Sequence, residues 1–295
     1  MAGETIKSEA ICLSVTPWSK TSHVVTWLTP SGRVGTVVKG AVRPKSAFLG
    51  QYDLNYTCEI VYYVRAKGEL HALRECAPLD RRDALRDDYA SLVLAGYFRF
   101  LVDRFAPQGP DCADWYATLS AALDALVANC ADSQSGCDSC STRQECRVPS
   151  EVMAQRGRDI PVACPEGDHL ISLLLKVELR ILHLLGLDPE IEAESGAFVL
   201  RGERKIPVSP EVAAYLRSHA PATQSLSHPA TQPLSHLATS PLSHPATQSL
   251  SHLPSPLPLD AARALGVYYN FHVDGVSDVR RAVLRLIHNK RDELR

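Results

Sequence analysis

Between residues 6 and 77 the apolar positions fall into five short runs rich in β-branched and aromatic residues: EAICLSV, SHVVTWLT, GRVGTVVKGAV, TCEIVYYV and GELHALREC. TPSG at 29–32 and RAKG at 65–68 supply turn residues between neighbouring runs. Five strands over so short a stretch are too few for a two-layer sandwich and suit a small closed barrel. The expected architecture is the five-stranded OB-fold, whose surface takes oligonucleotides.

From Asp83 the apolar period lengthens to that of a helix. One helical run covers 83–105 and stops before Pro107, a second covers 114–130, and a third covers 169–185 and is stopped by Gly186 and Pro189. The third places Ser172, Lys176, Arg180 and His183 on one stripe and fills the rest with Leu, Ile and Val, the pattern of a mostly buried helix. A last helix is expected from Ser277 as N-cap, with Val279, Val283, Leu284 and Ile287 inward. Its outer side would show Arg280, Arg281, Arg285, Lys290 and Arg291. The fold class expected is α+β: a barrel at 1–80 and a mostly α-helical domain at 81–295. Two insertions interrupt the helical domain, a Cys-rich loop at 130–165 and a low-complexity tract at 219–258.

Within that tract residues 221–252 are four octads, PATQSLSH, PATQPLSH, LATSPLSH and PATQSLSH. They carry no charge and no aromatic residue, and proline recurs, so they have little with which to bury a core and read as a disordered linker. His228, His236, His244 and His252 recur every eighth residue; an expanded repeat without function accounts for that better than metal capture. Deleting the tract is expected to leave thermal melting nearly unchanged.

The net charge of −2 over 295 residues conceals three blocks. Residues 1–82 hold 11 Lys/Arg against 7 Asp/Glu, a net +4; residues 83–200 hold 9 against 19, a net −10; residues 201–295 return to +4. Residues 10–52 hold Lys20, Arg33, Lys39, Arg43 and Lys45 and no acid. A one-sign field of that kind suits a polyanion. The most apolar stretch, residues 170–187, contains Lys176, Glu178, Arg180 and His183, too many ionisable groups for a lipid span. MAGETIKSEA lacks the apolar segment of a secretory signal. A soluble cytoplasmic protein without membrane contact is expected.

The stretch PWSKTSHVVTWLTPSGRVGTVVKGAVRPKSAFLG, residues 17–50, resembles the N-terminal domain of the bacterial recombination mediator RecO. Its last piece, Lys39-Gly40-Ala41-Val42-Arg43-Pro44-Lys45-Ser46, carries the most specific part of that likeness, and GELHALREC resembles the family's final barrel strand. The likeness continues more loosely to about residue 190, where LKVELRILHLLGLDP resembles the family's central helix. The resemblance implies a non-catalytic mediator that binds single- and double-stranded DNA through an OB-fold. It implies contacts with the single-stranded-DNA-binding protein SSB and with RecR, loading of RecA on SSB-coated strands, and annealing of complementary strands. On this chain Lys39, Arg43 and Lys45 can each neutralise a phosphate, with Arg33 and Lys20 beside them and Trp18 available to stack on an unpaired base. Phe48 reads rather as barrel core.

In one respect the family pattern fails. RecO proteins resembled here carry a zinc module after the central helix, yet residues 188–210 contain no cysteine. Cysteines gather upstream instead, as Cys130, Cys137, Cys140 and Cys146 in a C-x6-C-x2-C-x5-C spacing. That spacing resembles the iron–sulfur loop of the endonuclease III and MutY family of DNA glycosylases. Four thiolates suit a [4Fe–4S] cluster or a structural zinc, with Cys164 as a substitute for Cys130. Cys12, Cys58 and Cys76 sit in strand patterns and read as small core residues. An iron–sulfur glycosylase is therefore an alternative, though no helix–hairpin–helix turn is present; an OB-fold RNA-binding protein is another. No Walker loop, HExxH or GxSxG occurs, so the reading is not an enzyme.

Overall fold

The structure, a computed structural model, describes residues 4–65, 68–109, 112–135, 166–194, 197–201, 206–220 and 257–293. The N-terminal strands are β1 (Thr5–Ser19), β2 (Ser22–Thr29), β3 (Gly32–Val38), β4 (Thr57–Tyr63) and β5 (Leu70–Asp80). They close into a barrel in the order β1-β2-β3-β5-β4, with β3 and β5 parallel and every other pair antiparallel. This is the expected OB-fold. Closure depends on the length of β1, whose first half (Thr5–Ile11) pairs with β4 and whose second (Ile11–Ser19) pairs with β2.

The run Ala10-Ile11-Cys12-Leu13 is buried throughout because both faces of β1 are covered there. Ala10 and Cys12 point into the barrel with Val25, Trp27 and Ile60. Ile11 and Leu13 point the other way, into the core that Leu28 shares with the helices. Inside the barrel the Trp27 indole N–H donates to Thr36 Oγ1 at 2.8 Å, which satisfies a polar group that burial would otherwise leave costly.

The helical part comprises α1 (Tyr89–Phe105), α2 (Ala113–Ser135), α3 (Glu166–Leu184), α4 (Pro210–His219), α5 (Leu257–His272) and α6 (Ser277–Glu293). The run expected as one helix over 83–105 is a 3₁₀ turn at Asp83–Arg86 followed by α1, because the Asp88 side chain accepts from the N–H groups of Ala90 and Ser91 and restarts the helix. Between α3 and α4 lies a small antiparallel sheet, β6 (Glu190–Glu194), β7 (Ala197–Arg201) and β8 (Ile206–Val208), that the apolar pattern does not announce. Ser209 caps α4 at Val212 N, with Pro210 pre-set at its first turn. Among the described residues no helix is long and apolar enough to cross a membrane.

Helix α3 is central and packs against α1, α2, α4, α5 and α6. Its Glu178 is wholly buried and is held by Arg280 through Nε–Oε1 at 2.7 Å and Nη2–Oε2 at 2.8 Å. Tyr97 O–H donates to the same carboxylate at 2.8 Å, and Tyr269 O–H donates to the Glu178 carbonyl at 3.0 Å. Burial pushes both phenols well above their usual range, so they stay donors. A Cβ on Gly266 would lie 2.3 Å from Arg280 Nη1, so only glycine leaves room for this guanidinium. These contacts correct the expected phase of α6. Arg280 is 3% exposed, while Val279, expected inward, is 39% exposed. The buried stripe runs through Arg280, Val283 and Ile287, and the guanidinium is admitted because Glu178 cancels its charge.

Candidate nucleic-acid interface

The barrel has two ends, and the helices seal one of them. At the β2–β3 turn Gly32 approaches Gly109 so closely that a Cβ would sit 3.1 Å from its carbonyl oxygen. Arg99 donates to the Leu13 carbonyl, and Tyr116 O–H donates to Glu9 at 2.5 Å. Arg82, with a left-handed φ of 49° and buried, donates to Asn55 O, Thr57 Oγ1 and Asp124, tying β4 to α2. At the opposite end of β2 and β3, roughly 20 Å along the strands at ~3.3 Å per residue, sit the residues the charge pattern singles out.

Lys20 and Thr21 form the two-residue turn between β1 and β2, where Ser19 pairs with Ser22. Beyond β3 the chain folds back on this turn. Gly40 N–H donates to Ser22 Oγ at 3.3 Å and Val42 N–H donates to Thr21 O at 3.4 Å. Successive turns follow, from Arg43 N–H to Gly40 O, Ser46 N–H to Arg43 O and Leu49 N–H to Ser46 O. Gly40 has φ +67°, a conformation that glycine adopts without strain, and the Arg43 side chain lies over it. Ala41 is 3% exposed and anchors the loop in the barrel core, where Phe48 also packs. Lys20, Lys39, Arg43 and Lys45 are left exposed, and none of them forms an ion pair among the described residues. Trp18 is 65% exposed beside them, the extra residue in a register shift between Pro17 and Ser19 that turns its ring outward. Cations on flexible stems around one exposed indole are the elements of a sequence-tolerant strand-binding surface. Ser22, which positions the loop through Gly40, is a residue the sequence reading passes over; its signal is the tight Lys-Thr turn between two apolar runs.

Arg33 does not join this rim. It occupies the sealed end of β3, where Nη1 donates to the Asp103 carbonyl at 2.7 Å and Nη2 to the Asp103 carboxylate at 2.6 Å. Its charge is spent locking the barrel to α1. Replacing Arg33 with alanine should cost about 2 kcal/mol, the range of charged hydrogen bonds, and lower the melting temperature by roughly 4–8 °C. The salt dependence of nucleic-acid binding should stay as in the parent protein; a flatter salt slope would return Arg33 to the binding surface.

Cys130 is 2% exposed in the helical core on α2. Cys137, Cys140, Cys146 and Cys164 lie outside the described residues, as do the octad repeats. Among the described residues no group of three or more His, Cys, Asp or Glu side chains is placed to hold a metal. Cys12 and Cys58 are buried in the barrel, and both Cys58 and Cys76 direct their sulfurs at the Gln51 carbonyl, at 3.6 and 3.7 Å. Burial pushes the Cys12 thiol up, and a hydrogen bond with the free thiol of Cys76, together with burial, pushes the Cys58 thiol up, so both are neutral core thiols.

Residues 1–82 match the family described as Recombination protein O N terminal. The DNA repair protein RecO of Roseiflexus sp. (strain RS-1) is 30% identical over 131 residues, covering 44% of this chain and 46% of that protein. The aligned part spans about half the length of that relative. The closed barrel and the basic turn beyond β3 lie within the stretch, residues 1–82, that matches the N-terminal domain of recombination protein O.

Proposed function

We propose that the chain is a non-catalytic mediator of DNA repair and homologous recombination that holds single- and double-stranded DNA on the open rim of its barrel. One observation carries this reading: four cations without ion-pair partners among the described residues, Lys20, Lys39, Arg43 and Lys45, surround the exposed Trp18 on a barrel of the recombination protein O family. Phosphates neutralised at those cations release counterions, and the indole takes one unpaired base. The acidic helical block would repel DNA, so the strand is confined to the rim, with the exposed Arg281 and Arg285 of α6 as a secondary surface. As in the family, the partners would be SSB, RecR and, through them, RecA, with annealing of complementary strands as the outcome.

Adding the protein to SSB-coated complementary strands is expected to accelerate annealing. No acceleration would contradict the mediator reading, and stronger binding to RNA than to DNA of equal length would favour the RNA-binding alternative.

A [4Fe–4S] cluster or a zinc ion on Cys130, Cys137, Cys140 and Cys146 belongs to the same proposal. Four thiolates are the donor set either centre takes, and a buried Cys130 would lose the cost of an isolated thiolate once metal-bound. Iron and zinc analysis of anaerobically purified protein should find one centre per chain. Folded, metal-free protein would exclude it.

A further inference from the structure

The rim carries one more cation that charge patterning in the sequence does not single out. We propose that Arg74, seated on the ring of Tyr63, is a further nucleic-acid contact, and that a bound single strand runs from Trp18 past Lys39 and on to Arg74. This inference rests on the rim reading above and specifies the path of the strand.

Strands β3 and β5 run parallel, pairing Gly35 with Leu70, Thr36 with His71 and Val37 with Ala72. One step further, Val38 and Leu73 both turn into the barrel core. Continued by two residues, this register sets Lys39, just past the end of β3, level with Arg74 inside β5 on the outer side of the sheet, about one strand spacing (~4.8 Å) away. On its other edge β5 pairs Leu73 with Tyr62 and Glu75 with Val61, so Arg74 is the extra residue of a bulge, a device that turns a side chain outward. Arg74 is exposed, and its guanidinium lies 5.7 Å from the centroid of Tyr63. On the inward face of the same strand, β4, Tyr62 is buried in the barrel core and stacks flat on His71, with centroids 5.5 Å apart and an interplanar angle of 11°. Glu69 and Glu75 are exposed on the same segment, yet Arg74 forms no ion pair among the described residues. An arginine whose face rests on an aromatic ring and whose donors point to solvent can take a phosphate in two hydrogen bonds or cover a base. Across the barrel the order is β1 with Trp18, then β2, β3 leading to Lys39, and β5 with Arg74. Three strand spacings are about 14 Å, or about four nucleotides at ~3.4 Å each for a stacked strand.

The test is equilibrium binding of oligothymidylates of increasing length to the full chain and to Arg74→Ala and Arg74→Lys, with melting curves confirming that the variants fold. The parent protein should gain affinity until the oligomer spans the path. Arg74→Ala should lose that last gain, binding long oligomers about threefold to tenfold more weakly and the shortest ones equally well. Its slope of log affinity against log salt should fall by about 0.7, one phosphate on a single strand. Arg74→Lys should keep the slope and recover part of the affinity. Parent-like affinity and slope for Arg74→Ala at every length, while the parent binds, would overturn this path and leave the rim reading standing. No binding by the parent at low ionic strength would sink both.

Discussion

Replacing Lys39, Arg43 and Lys45 together with alanine is expected to flatten the salt dependence of single-strand binding by two to three phosphates' worth. At about 0.7 per phosphate, the slope of log affinity against log salt should fall by roughly 1.4–2.1, and affinity at moderate salt should drop on the order of tenfold or more. The prediction is specific because all three side chains are exposed and without ion-pair partners among the described residues, so their removal leaves no buried charge behind. Melting should move little, since exposed substitutions of this kind stay within about 0.5 kcal/mol. The loop itself should persist, because its geometry depends on Gly40, on the Ser22 hydroxyl and on the buried Ala41, none of which is changed. A slope equal to that of the parent protein would remove this loop from the binding surface.

The largest effect on stability is expected from Glu178→Ala. It strands Arg280 in a wholly buried site and also deprives Tyr97 of its acceptor. Breaking one side of such a pair costs about 3–5 kcal/mol, which for a protein of this size lowers the melting temperature by roughly 6–20 °C. Arg280→Met should be comparably damaging, whereas the double variant Glu178→Met with Arg280→Met should recover much of the loss because neither charge is then left alone. Losses that simply add in the double variant would show that the two groups act independently. Salt-dependent DNA binding by the surviving folded fraction should be unaffected, since the pair lies in the helical core and the rim lies on the barrel.

These two predictions also mark what a linear sequence discloses. The barrel strands were legible because alternation is local: GRVGTVV alternates between buried and half-buried positions through its whole length. That the strands close into a barrel was expected from their number alone, and the double burial of Ala10 to Leu13 becomes intelligible only once helices are known to cover the second face. The basic turn beyond β3 was legible because three cations within seven residues, with no acid among them, stand out. Arg33 looked the same in that window, since nothing near it in sequence reveals Asp103, 70 residues away. The α6 phase was misread for a related reason: an arginine reads as outward until its partner 102 residues earlier is seen. Strands β6 to β8 are three to five residues long, too short for a period to assert itself. Arg74 escaped notice because a bulge, not a pattern of residue types, turns it outward.

The most direct test of the account is the affinity of the full chain for an unstructured single strand, measured across a range of salt concentrations. Gripping by the rim predicts binding that hardly depends on base sequence and weakens with salt at a slope of about −2 to −3, corresponding to three or four phosphates. Binding that ignores salt, or no binding at low ionic strength, would contradict the claim that the barrel's open end holds a nucleic-acid strand.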